Sequence, residues 1–171
     1  MIHLETNLSK IKQMAAKRED ENFRFRAFLK SKESKKIDGM VHRLHAEIVP
    51  LIDCTSCGNC CNCMKPEVNK EDIKILAGLE NIPSEKYMDN YCEEEYGDFY
   101  LKDIPCRYID GKKCSIYENR PGQCKRFPYT NQPDFISRLW GMISFYEICP
   151  IVFNLMEELK DELRFYRKRN F

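Results

Sequence analysis

A chain of 171 residues that is 43% hydrophobic and 32% charged is long enough to bury one ordinary core and too apolar to remain disordered. Its formal net charge of +1 at pH 7 gives no overall pull toward nucleic acid or an anionic membrane surface. The start, Met1-Ile-His-Leu-Glu-Thr-Asn7, lacks a basic segment followed by an apolar one, and no stretch approaches the roughly 20 apolar residues that span a bilayer. The expectation is therefore a cytoplasmic protein. In a reducing compartment, ten clustered cysteines point to metal rather than to a disulfide framework.

Leu4, Leu8, Ile11 and Ala15, then Phe25, Phe28 and Leu29, recur at near-helical spacing between charged residues, so residues 3–33 read as one or two amphipathic helices. Their apolar stripe covers a core or forms the seam of a homodimer or partner complex. Ile37, Val41, Leu44 and Ile48 define a further helix that ends at Pro50 and delivers the chain to Cys54. This organisation predicts an N-terminal helical extension over 1–36 and a cysteine-cluster metal-binding domain over 37–171. His42 and His45 stand at i, i+3 on the second helix, a spacing able to chelate, but they read as partly exposed structural residues.

Between Cys54 and Cys63, five cysteines fall within ten residues: Cys54-Thr-Ser-Cys57-Gly-Asn-Cys60-Cys61-Asn-Cys63. A two-residue spacer lets a tight turn bring two sulfurs to one ion, and Thr55, Ser56, Gly58 and Asn59 supply that turn and free backbone N–H groups. Cys60 and Cys61 are adjacent, so their side chains diverge and point toward two centres or one extended cluster. The run is half of a site.

Asn69 is a good N-cap, with Asp72 in the first turn, for a helix reaching Leu79, and Pro83-Ser-Glu opens a shorter helix ending near Tyr91. This insert carries Cys92 without any recognisable chemistry. Asp110-Gly111 then signals a hairpin between Arg107-Tyr-Ile and Cys114-Ser-Ile-Tyr. A three-residue turn would set Cys106 and Cys114 on one face of the ribbon and a two-residue turn on opposite faces; a shared metal favours the longer turn.

Arg120-Pro121 starts a helical turn that aims Cys124 back at the hairpin, while Leu139 to Phe145 suits a strand or a buried helix alike. Pro150 fits the first position of a last helix with Val152, Leu155, Met156, Leu159, Leu163 and Tyr166 on its apolar face. Cys149 sits at that helix's start, where backbone N–H groups and the dipole stabilise a thiolate. The basic stretch from Arg164 to Arg169 reads as a solvated helix end. The whole is an α+β, mostly helical expectation: a small metal-centred cysteine domain with a short β-hairpin and amphipathic helices at both termini. Neither a Gly-rich phosphate loop, a Rossmann fingerprint nor a His-Glu-x-x-His helix is present.

Cys54, Cys57, Cys60, Cys61, Cys106, Cys114, Cys124 and Cys149 make eight thiolates, twice the complement of a closed zinc site or an iron–sulfur cubane. The run, the long insert, the segment Cys106-x7-Cys114-Ser-Ile-Tyr-x2-Arg-Pro-x2-Cys124-x2-Phe-Pro128 and the late Cys149-Pro150 together resemble the YkgJ-like cysteine-cluster family. Members of that family are described as zinc- or iron-chelating proteins, and the same domain resembles that of flagellin lysine N-methylases. The resemblance implies that the family's cysteines fall on these eight positions, and its Tyr and Arg-Pro on Tyr117 and Arg120-Pro121. Lys125 stands where many relatives carry Arg, and Cys63 and Cys92 are additions to the pattern.

Sulfur-only ligation narrows the metal to zinc, iron–sulfur or copper(I). Cys54-x2-Cys57-x2-Cys60 repeats the first three ligands of the bacterial ferredoxin run, whose fourth cysteine, followed by Pro, binds a different cluster, so the spacing leans toward one or two 4Fe-4S clusters. Zinc is the alternative cofactor. One working partition places Cys54, Cys57, Cys60 and Cys149 on one centre and Cys61, Cys106, Cys114 and Cys124 on the other, with other partitions open. Three classes of function follow: an iron–sulfur protein for electron transfer, redox sensing or support of a partner enzyme; a zinc module for structure or interaction, docking through the N-terminal helices; and an S-adenosylmethionine-dependent methylase-like enzyme.

Overall fold

The helical periodicity of the first fifty residues is realised as α1 (Leu8–Lys17), α2 (Glu19–Lys30) and α3 (Ser34–Ile48), the last continued by a 3-10 turn at Val49–Leu51 where Pro50 ends the regular hydrogen bonding. The computed structural model describes residues 4–165 and is mostly helical, with a few short antiparallel strands. No helix among the described residues is long and apolar enough to cross a membrane.

Two compact units divide the chain: Met1–Asp53 with Pro128–Phe171, and Cys54–Phe127. The division falls at Asp53 and Phe127, not at the Lys36 boundary suggested by the helix pattern. The reason is packing. α3 lies against α10 (Pro150–Glu162), so Ile37, Val41, Leu44 and Ile48 are buried in the same core as Val152, Leu155, Met156 and Leu159. Each such side chain contributes about 1.5–3 kcal/mol when taken fully out of water. The segment left between strand and helix becomes α9 (Leu139–Tyr146), which packs on α10. Tyr166 and most of the basic tail lie outside the described residues.

A buried polar knot ties this helical unit together. Lys160 is fully buried, and its Nζ donates to Glu21 Oε1 at 2.9 Å, Asn22 Oδ1 at 2.6 Å and Glu157 Oε1 at 2.8 Å. Tyr146 Oη also donates to Glu157 at 2.7 Å, and Arg18 pairs with the same carboxylate. Two cations facing two carboxylates leave no uncompensated charge, the condition under which such burial is tolerated.

The cysteine-rich unit is built on α6 (Lys70–Leu79) and α7 (Ser84–Tyr91) beside a three-stranded sheet. Asn69 caps α6 as its residue type predicts: its side chain accepts from the Asp72 N–H at 2.9 Å while Asp72 Oδ2 accepts from the Asn69 N–H at 3.2 Å, a reciprocal capping box. The sheet runs in the order β1 (Glu67–Val68), β3 (Asp98–Leu101), β2 (Cys92–Glu95), all antiparallel. β2 and β3 are joined by Tyr96 and Gly97, both at positive φ (55° and 92°), the backbone of a tight two-residue hairpin.

Val68, Ile73, Leu76, Ala77, Tyr87, Cys92, Leu101 and Tyr108 form the unit's core, and Cys106 and Cys114 pack against it. Within it, the buried Tyr87 and Tyr108 hydroxyls hydrogen-bond at 2.8 Å, and Tyr108 passes its remaining hydrogen-bonding capacity to Glu80 Oε1 at 3.2 Å. Burial raises both phenols, Tyr108 to about 12.

Candidate metal centre

The cysteine run folds as two single-turn helices, α4 (Cys54–Cys57) and α5 (Asn59–Cys63), with Gly58 between them at φ +61°. Glycine is required there twice over. Its φ is left-handed, and a Cβ built on it would stand 2.6 Å from the Lys112 carbonyl oxygen. The break between the helices therefore lies directly against the turn of the downstream hairpin.

That hairpin consists of β4 (Ile109–Asp110) and β5 (Lys113–Cys114), with Ile109 paired to Cys114 and Asp110 to Lys113. Its turn is Gly111-Lys112, two residues long, with Gly111 at φ +61°. The longer turn expected from a shared metal is thus absent, yet Cys114 still acts electrostatically on the Cys106 thiol. Cys106 is not in the ribbon: its carbonyl accepts from the Ile109 N–H at 3.0 Å, closing a turn, and its N–H donates to the Cys61 carbonyl at 2.8 Å. Face parity does not apply to a residue outside the ladder.

α8 (Gly122–Arg126) follows Pro121 and carries Cys124. Gly122 N–H donates to Asp72 Oδ1 at 3.0 Å, anchoring the start of this short helix to α6. Four thiols from four separate stretches, Cys61, Cys106, Cys114 and Cys124, consequently share one electrostatic neighbourhood. The Cys124 thiol is pushed up to about 12 by burial first and then by Cys61, Cys106 and Cys114, with Arg120 opposing. Burial likewise raises Cys106, opposed by the Tyr108 N–H and reinforced by Cys61, Cys114 and Asp103. Cys114 is raised by burial, with the Ile116 N–H and Arg120 opposing and Cys61 reinforcing.

Cys61 behaves oppositely. A hydrogen bond from Cys60 lowers it to about 7 against the effect of burial, helped by its own backbone N–H and by Arg120. The neighbouring cysteines of the run thus differ: Cys61 belongs with the half-buried Cys106, Cys114 and Cys124, and Cys60 donates to its thiolate. Arg120 itself is held over the Tyr117 ring, its guanidinium carbon 3.6 Å from the ring centroid and its Nη1 donating to the Tyr117 carbonyl at 3.2 Å.

The other candidates are placed as follows. Cys54 is exposed, Cys57 and Cys60 are half-buried, and all three stand on α4 and α5. Cys149 belongs to the helical unit, where it is buried and caps α10. Cys63 is exposed, with its Sγ 3.8 Å from Asn59 Oδ1, and Cys92 is buried in the core at the start of β2, its thiol raised by burial. His42 Nε2 donates to the Gln132 carbonyl at 3.2 Å and His45 Nδ1 lies 2.7 Å from Thr130 Oγ1, partners that suit structural histidines.

Among the described residues no group of three or more His, Cys, Asp or Glu side chains is already arranged to hold a metal ion. The four thiols act on one another electrostatically without forming a closed ligand set. Their chemistry nonetheless fits a soft, thiophilic metal: the donors are all sulfur, and Arg120 offsets the charge they acquire as thiolates.

Residues 53–150, more than half of the chain, match the family CxxCxxCC, described as "Putative zinc- or iron-chelating domain". An uncharacterized protein of Methanocaldococcus jannaschii is 36% identical over 84 residues, covering 46% of this chain and 45% of that protein. The chain thus spans under half the length of this relative. No solved structure matches the chain. The chain belongs to the CxxCxxCC family.

Proposed function

Taking membership of this zinc- or iron-chelating family as the premise, we propose that the chain is a metalloprotein whose Cys61, Cys106, Cys114 and Cys124 hold an iron–sulfur centre of the 4Fe-4S type, serving electron transfer or redox sensing. The observation that supports this reading is the electrostatic influence of these four thiols, one from each of four stretches, on one another around the half-buried Cys124. Four cysteines are the complement of such a cluster, and bound there it would exchange single electrons. Cys54, Cys57 and Cys60, on the adjoining turns, repeat the spacing of three ferredoxin ligands and supply the next donors.

The residues divide the work. Cys61, most easily deprotonated of the four, is the first thiolate available to an incoming metal, with Cys60 donating to it. Cys106, Cys114 and Cys124 are held protonated chiefly by burial, so each would give up a proton on becoming a metal ligand. The half-buried setting between hairpin and α8 restricts water around the sulfurs, a determinant of cluster potential. Zinc is the second reading, favoured by the same number: four thiols are also a closed structural zinc set.

The test is anaerobic purification of the full chain with iron, zinc and acid-labile sulfide counted per chain. Iron and sulfide in matching amounts, both lost in Cys106→Ser, support the cluster. Zinc without sulfide supports the structural centre. A wild-type chain that takes up neither metal overturns both.

A further inference from the structure

Away from the cysteines, the helical unit exposes an aromatic patch that its own core does not use. Trp140, on α9, is 63% exposed and Phe23, on α2, is 39% exposed, with their ring centroids 5.8 Å apart. Arg26, one turn on from Phe23, holds its guanidinium carbon 5.3 Å from the centre of the Trp140 ring. Its Nε is buried without a hydrogen-bond partner, and among the described residues no carboxylate pairs with it. Tryptophan and arginine are the residue types that most often anchor protein contacts, because each combines a large flat surface with a directed polar group. We propose that this patch is a docking surface for a second copy of the chain, and that it receives the acidic β2–β3 hairpin of that copy.

Charge selects the occupant. From Phe23 to Lys30, α2 carries Arg24, Arg26 and Lys30 and no carboxylate, while α9 carries no charged residue at all. The carboxylates of α2, Glu19, Asp20 and Glu21, are confined to its first turn, and Glu21 is committed to Lys160. The same face of a second copy would set Arg26 against Arg26, a like-charge contact that opposes association. The patch therefore calls for a segment that brings carboxylates together with an apolar or aromatic group. The hairpin Glu93-Glu94-Glu95-Tyr96-Gly97-Asp98 has four carboxylates and no cation. Lys65 pairs with Glu93, and Glu94, Glu95 and Asp98 stand exposed about the turn. At the tip Tyr96 is 106% exposed, so its ring rests on nothing in its own copy. That ring matches Trp140 and Phe23, and the adjoining Glu95 supplies the acceptor and counter-charge that Arg26 lacks. Such a contact joins two different surfaces, head to tail, and a hairpin tip covers little area, so the association is weak and salt-sensitive.

The experiment is sedimentation velocity of the full chain under reductant, raised to about 1 mM because contacts of this size are weak. It compares the wild type with Arg26→Glu, Glu95→Arg, Tyr96→Ser and an equimolar mixture of the first two variants, with far-UV circular dichroism as the folding control. The wild type should associate with rising concentration and less so at high salt. Each single variant should weaken association about tenfold or more. The mixture should regain it, because the acidic patch of one variant then meets the basic hairpin of the other. A wild type that stays monomeric throughout overturns the proposal. So does association that survives Arg26→Glu, that is indifferent to Glu95→Arg and Tyr96→Ser, or that the mixture fails to restore. None of these variants touches a cysteine, so each outcome leaves the reading of the metal centre as it stands.

Discussion

Replacing Gly58 with alanine tests the contact that joins the cysteine run to the hairpin. Two costs are expected. The backbone sits at φ +61°, where an L-residue loses about 1–2 kcal/mol relative to glycine. The new Cβ would also stand 2.6 Å from the Lys112 carbonyl oxygen, a backbone atom that cannot swing aside, and overpacking of this kind costs about 1–3 kcal/mol more. Gly111 provides the matched control, because it has the same φ of +61° with nothing within 4 Å of its Cβ position. Gly111→Ala therefore pays only the torsional cost, and the difference between the two variants, about 1–3 kcal/mol, isolates the close approach. The chain's single tryptophan, Trp140, lies in the helical unit, so the assay must report on the other one. Amide hydrogen exchange of peptides from Cys54–Phe127 does so in the full chain. Equal protection losses in Gly58→Ala and Gly111→Ala would refute the packing of the run on the hairpin turn.

Three further outcomes are expected. Lys160→Met leaves the Glu21 and Glu157 carboxylates buried without their shared cation and should cost about 3–5 kcal/mol, read as a shift in the urea midpoint followed by Trp140 fluorescence. Acid should weaken the same knot: burial raises the Glu157 carboxyl, but Lys160, Tyr146 and Arg18 outweigh it and leave the net value below that of an ordinary glutamate. Its unfolded form therefore takes up protons first, so this stability is fully present above the ordinary carboxylate range and is lost as pH falls through it to the lower folded value, a slope that Glu157→Gln should remove. Asn69→Ala deletes the N-cap of α6 and should cost about 1 kcal/mol, measured as faster amide exchange in the first turn of that helix alone.

The helices were legible because their signals are local. Asn69 with Asp72, Pro50, Pro83 and Pro150 mark ends through backbone chemistry that needs no tertiary context, and the stripe Ile37, Val41, Leu44, Ile48 names its own buried face. The β2–β3 hairpin was not legible: Glu93-Glu-Glu95 has poor strand propensity and Tyr96-Gly97 is a weaker turn signal than Asn-Gly, so pairing with β1 decides the outcome. Leu139–Phe145 has too short an apolar run for periodicity to choose, and packing on α10 makes it a helix. At the thiol group, spacing singled out the cysteines but could not place them in space. The ribbon argument for a longer turn assumed that Cys106 lies within the ladder, whereas a turn closed by Ile109 lifts it out.

The central claim is that sulfur alone, from Cys61, Cys106, Cys114 and Cys124, surrounds the metal. X-ray absorption at the metal edge of the anaerobically purified full chain measures that shell directly. An all-sulfur shell in the wild type that loses sulfur in Cys124→Ser is the predicted result; a shell dominated by nitrogen or oxygen, or one indifferent to Cys124→Ser, would contradict it.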